Sequence, residues 1–201
     1  MLDQMRYNLD QNLARVENLV ITYETDPDAQ GQGRKSAQVL DILRAAVVLL
    51  HATLEDVLRT TASWKLPTAS SAALNDIPLV GLGSSPKKFF LGELAAFRGK
   101  RVDEVLTESV QAHLEKSNYN NLGEIRALLN GIGVDESSMT PFFAALQELT
   151  DRRHQIVHRA DRQPRVVGSG DHQIRGINRQ TVRGWAQAVR AFSDALFAQL
   201  A

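Results

Sequence analysis

The chain contains no cysteine. That excludes a disulfide framework, a zinc finger and a thiol nucleophile, and it suits a reducing cytoplasm, where the protein is expected to work. The opening MLDQMRYNLD is polar and amphipathic and lacks the apolar core of a secretion signal. The longest apolar stretch, Ala45 to Leu50, is far too short to span a bilayer, so no membrane partner is expected. No internal repeat, heptad run or alternating strand pattern appears. Net charge is absent as well: 23 basic residues balance 23 acidic ones.

The balance is uneven along the chain. Nine arginines lie between Arg152 and Arg190, against only Asp161 and Asp171, leaving 14 basic and 21 acidic residues elsewhere. An arginine-rich final third on an acidic body suits an anionic partner such as RNA, although a solvated helix face has the same composition.

What is present is helical periodicity. Leu9, Leu13, Val16, Val20 and Tyr23 recur at spacings of three and four, predicting a helix over 2–25 that ends in the Pro/Gly stretch 26–33. Ser36 can cap a longer helix to about Thr61, whose stripe Val39, Leu43, Ala46, Val47, Leu50, Leu54 and Val57 belongs at the centre of the fold. Residues 63–88 read as a loop, with an extended piece at 77–82. Short helices are expected at 89–98, 102–116 and 121–129. Ser138 or Thr140 can cap a helix with Pro141 in its first turn, running to His158. A last helix, 178–200, carries Trp185, Val189, Phe192 and Leu196 on one face. The expected fold is therefore all-α: one domain over 1–201, built from antiparallel long helices, without significant sheet, and with a loop and small-helix insertion at 62–135.

The helix ending at His158 carries the chemistry. Phe142, Leu146, Leu149 and Ile156 share one face, and Arg153 falls within about 20° of its middle. An arginine there is either a buried ion pair, with Glu55 or Asp56 as partner, or a group aimed into a cleft. Asp151, His154 and His158 line up along another side. They form a solvated face, an acid-tuned histidine for proton transfer, or two ligands of a metal. No third ligand and no HExxH pattern accompany them, so no metal or cofactor is expected.

The stretch LTDRRHQIVHR resembles the signature of HEPN domains, an arginine followed by four to six residues and a histidine on a late helix. The similarity extends to LLHATLEDVLR and to FFLGELAAFRGKRVDEVLTESVQAHLEKSNYNN, and points to the RiboL-PSP-HEPN branch. Arg44–His51 and Arg165–His172 fit the spacing too. Arg153–His158 is preferred for its late amphipathic helix and the polar His154 that follows the arginine, with Arg152 as the alternative start. The resemblance implies metal-independent RNA cleavage by Arg153, His158 and His154 in a homodimer that joins two such pairs. Arg152, Glu55, His51 and Asp151 are accessory candidates. Arg159, Arg162, Arg165 and Arg175 are candidates for the RNA backbone, and Tyr119 with Asn118, Asn120 and Asn121 for bases or simply for a turn and cap. HEPN ribonucleases imply a toxin–antitoxin, defence or stress setting, with an antitoxin or regulatory protein as a further partner. Two alternatives remain: a catalytically silent HEPN module that binds RNA, a nucleotide or a protein, and a plain helical dimerisation domain.

Overall fold

A computed structural model describes residues 1–31, 35–81, 90–161 and 175–201. Eight α-helices are present among them: α1 (Leu2–Thr25), α2 (Pro27–Gln30), α3 (Ala37–Lys65), α4 (Ser71–Leu74), α5 (Val102–Lys116), α6 (Leu122–Gly131), α7 (Glu136–Arg159) and α8 (Arg179–Leu200), with 3₁₀ turns at Leu66–Thr68 and Leu91–Phe97. No strand occurs among the described residues.

The centre is α3, against which α1, α5, α7 and α8 all pack. Val39, Leu43, Ala46, Val47, Leu50, Leu54 and Val57, the stripe that the spacing predicts, are all buried, and Leu58 joins them. By length and composition this helix would also suit a bilayer, but half of its apolar window is buried inside the protein. Ser36 caps it by accepting from the Val39 amide, and it runs on to Lys65, past the expected end. The small helices of the insertion are not a separate body. Val110, Ile125 and Leu129 are fully buried in the same core as α1 and α8. Arg59 of α3 ties the insertion down by donating to the carbonyls of Leu114 and Ser117 at the end of α5.

Two local expectations need correction. The cap of α7 is Asp135, which accepts from the Ser137 amide; Pro141 therefore lies inside the helix, where it forgoes one internal hydrogen bond. Ser138 and Thr140 instead donate their hydroxyls to the carbonyls of Asp135 and Glu136. The expected extended piece is bend, turn and irregular chain over 77–81, and its last position, Leu82, lies outside the described residues.

Candidate functional site

The site is decided by how α7 ends. The helix runs unbroken through Arg159. Ala160 and Asp161 then take left-handed conformations (φ 47° and 58°), which turn the chain back on itself. Both backbone amides converge on the Gln155 carbonyl. The turn drives the Asp161 side chain inward, where it is 1% exposed. There its carboxylate meets Arg152 at 2.6 and 2.7 Å and the Nε of Arg44 at 2.7 Å. Arg152 also donates to the backbone carbonyl of Arg175 at 3.0 Å. Burial holds the Arg152 guanidinium below its ordinary pKa range, against the opposing pull of Asp161.

The buried arginine of the signature is thus Arg152, not Arg153, and its partner is neither Glu55 nor Asp56. The ideal-helix projection placed Arg153 in the apolar stripe. Near the end of α7, however, burial comes from the returning chain at Asp161, Arg175 and Gly176, which covers the Arg152 side.

Arg153 is left half-exposed, and His154 and His158 are exposed. The two imidazoles lie one turn apart with ring centroids 4.6 Å from each other. Because the helix does not unwind, Arg153 and His158 leave its axis about 140° apart. One chain therefore presents the guanidinium and the second imidazole on different sides of the same two turns.

Behind Arg153 stands a second layer on α3. His51 is fully buried, and its Nδ1 lies 3.6 Å from Glu55. The pair is therefore not a surface one. Neither ring nitrogen of His51 has a hydrogen-bond partner, and at 3.6 Å the contact with Glu55 is longer than a formed hydrogen bond. His51 nonetheless contributes most to lowering the Glu55 pKa, against burial, with the Tyr119 backbone and the charge of Arg153 helping. Tyr119 is itself 5% exposed, and burial pushes its hydroxyl up to about 12. Beside this layer, Ala45, Val48, Leu49 and Ala52 of α3 and Ile156 of α7 line an open groove of about 790 Å³.

The RiboL-PSP-HEPN family matches residues 10–201, nearly the whole chain. The protein belongs to that HEPN family. Its domains are generally associated with ribonucleases. No curated protein and no solved structure is significantly similar to the chain.

The remaining candidates of this HEPN chain fall into three groups. Arg159 is exposed at the end of α7, and Arg175 is exposed while its guanidinium reaches Gln155 at 3.4 Å. Asp151 is exposed but accepts from Gln147, its neighbour one turn back, at 2.7 Å, and no hydrogen bond or ion pair joins it to His154. Arg162 and Arg165, and the Arg165–His172 pair, lie outside the described residues. Arg44 and His51 are both buried on α3, which removes that pair as an exposed signature. Asn121 proves to be a helix cap, accepting from the Glu124 amide. Among the described residues no cluster of three metal-ligating side chains occurs.

Sequence reasoning missed Arg44 and Asp161. The available signal was indirect: an arginine buried on the signature helix needs an acid, and Asp161 is the nearest acid after that helix.

Proposed function

We propose that this HEPN domain is a metal-independent endoribonuclease that works as a homodimer. Each copy would bring Arg153, His154 and His158 to one composite cleft. The observation that carries this reading is the division of α7. Arg152 is consumed inside the protein, while Arg153 and two adjacent imidazoles remain available outside it. The wide angle between Arg153 and His158 is the reason a second copy is required, and the groove between the end of α7, at Ile156 and Ala160, and the 45–52 stretch of α3 offers surface for it to cover.

The chemistry follows from the residue types. A neutral imidazole accepts the 2′-hydroxyl proton, and the 2′-oxygen attacks phosphorus. The 5′-oxygen leaves with a proton from a second, protonated imidazole. Arg153 holds the non-bridging oxygens as charge builds on them. The products are a 2′,3′-cyclic phosphate, or its hydrolysis product, and a free 5′-hydroxyl. Arg159 and Arg175, with Arg162 and Arg165, supply cations for the flanking phosphates. A toxin–antitoxin, defence or stress role, in the cytoplasm and under control of an antitoxin or regulatory protein, fits such an activity.

RNA cleavage by the purified protein in EDTA tests the proposal. Arg153→Ala and His158→Ala should each lose roughly 10²–10⁴-fold in rate. Robust cleavage by both variants would overturn the site, and activity lost in EDTA but restored by a divalent metal would overturn the mechanism. RNA bound but left intact would favour a silent binding module, the reading that the 140° divergence within one chain supports.

A further inference from the structure

Among the described residues, no hydrogen bond or ion pair from another element reaches Arg153, His154 or His158. His154 and His158 touch each other, and Arg153 influences Glu55 only through its charge. Whatever sets the position of these side chains must act through the backbone of the last two turns. One buried group reaches that backbone from several sides. Asp161 receives the Ala160 turn, sends its amide to the Gln155 carbonyl, and accepts the Arg175 amide on its own carbonyl at 3.1 Å. Its carboxylate holds Arg152 on α7 and Arg44 on α3. Arg44 in turn donates to Asp41 at 2.8 Å, one turn earlier on α3.

We propose that Asp161 is a positioning residue: clamped between Arg152 and Arg44, it locks the final turns of α7 against α3 and so sets where Arg153, His154 and His158 stand. The proposal rests on the ribonuclease reading for its catalytic consequence, and on the geometry alone for its structural one.

The physical case has two parts. Left-handed backbone is costly for Ala and tolerable for Asp, so two such residues in succession persist only when something holds them. Arg152 spans both carboxylate oxygens, with a hydrogen bond to Oδ2 and an ion-pair contact of 2.6 Å to Oδ1, and Arg44 adds a second hydrogen bond to Oδ2; together they supply that hold. The charges also enforce it. Two buried guanidinium groups share one buried carboxylate, because Asp41 lies largely in water. Neutralising Asp161 would leave the two guanidinium groups facing each other with only the water-exposed Asp41 on the Arg44 side, and they would separate by moving the end of α7 away from α3. The signature's two adjacent arginines thereby divide their work: Arg152 anchors the helix, and Arg153 meets the substrate.

Asp161→Asn keeps the size and tolerates the left-handed turn but removes the charge. It should lower kcat at least tenfold with KM within twofold, at a temperature where circular dichroism shows the variant folded. Arg44→Lys is the milder break: it keeps the cation, loses the directed Nε bond and should lose less than Arg44→Ala. Amide hydrogen exchange supplies a readout independent of activity. In Asp161→Asn and Arg44→Ala, residues 153–160 should exchange at least tenfold faster while 143–149 keep their protection. Unchanged kcat in a cleaving protein, or unchanged exchange at 153–160, overturns the positioning role. Should Asp161→Asn not fold, the Arg44 pair decides by the same two measurements. A wild-type protein that cleaves no RNA would remove the ribonuclease reading while the exchange result still judges the clamp.

Discussion

Arg152 and Arg183 are both arginines held by carboxylates, but one network lies inside the protein and the other along its surface. Inside, Arg152 and Arg44 converge on Asp161, with side chains 4%, 8% and 1% exposed. Outside, along the seam of α1 and α8, Arg183 binds Glu17 and Glu24 at 2.6 Å each, Arg190 binds Asp10, and Arg6 approaches Asp194. The outer network has more pairs. The inner one has the larger consequence, because its members gave up water and Asp161 is the single buried carboxylate between two buried guanidinium groups. Outer charges are solvated whether paired or not, so pairing gains them little. A count of ion pairs would rank the two regions in the wrong order.

The largest effect is expected from Arg152→Ala. It removes the fork from Asp161 and leaves that carboxylate buried with Arg44 alone. A stability loss of about 3–5 kcal/mol should appear in denaturant unfolding, with little dependence on salt. Arg153→Ala, one residue along, should change stability by less than about 1 kcal/mol, as for an ordinary surface position. Equal losses at the two positions would mean that α7 does not sort its arginines into an inner and an outer role.

That sorting marks the limit of what the sequence discloses. The long helices were legible, since α1 and α8 follow their apolar spacing almost to the residue. The family resemblance was legible as well, because the signature is local. The choice between Arg152 and Arg153 was not. An ideal helix places Arg153 nearer the core, and only the left-handed turn at Ala160 and Asp161 brings in the chain that buries Arg152 instead. No alanine advertises a positive φ, so nothing local announces the turn. The burial of His51 was hidden for a similar reason. It lies at the edge of the α3 stripe, where helical spacing alone does not separate a buried position from an exposed one.

Between the two networks stands Glu55, 21% exposed, with buried His51 at 3.6 Å. Its pKa is lowered chiefly by His51, so its ionised form is favoured by folding. The sign follows directly. The contribution is complete above the ordinary glutamate value of about 4.3 and is lost as pH falls through the lower folded value. Glu55→Gln should therefore cost on the order of 1 kcal/mol near neutrality. The gap from wild type should close below about pH 4. A gap that stays constant through that window in denaturant titrations would mean that the charge of Glu55 contributes nothing to folding.

The smallest effect is expected at the seam, where the bonding looks richest. Arg183 donates five hydrogen bonds of 2.6–3.3 Å to two glutamates, and Glu17 then Glu24 raise its pKa. Glu24 is lowered in return, chiefly by its hydrogen bond from Arg183. Yet these charges keep access to water, and Val16 and Val20 of α1 share one buried core with Val182 and Val189 of α8. Arg183→Ala should lower the unfolding midpoint only slightly at low salt. The difference should shrink towards zero at about 1 M salt, where the screening length falls to about 3 Å. A large loss that survives such salt would make the seam a second clamp, and exposure would then cease to explain why the two networks differ.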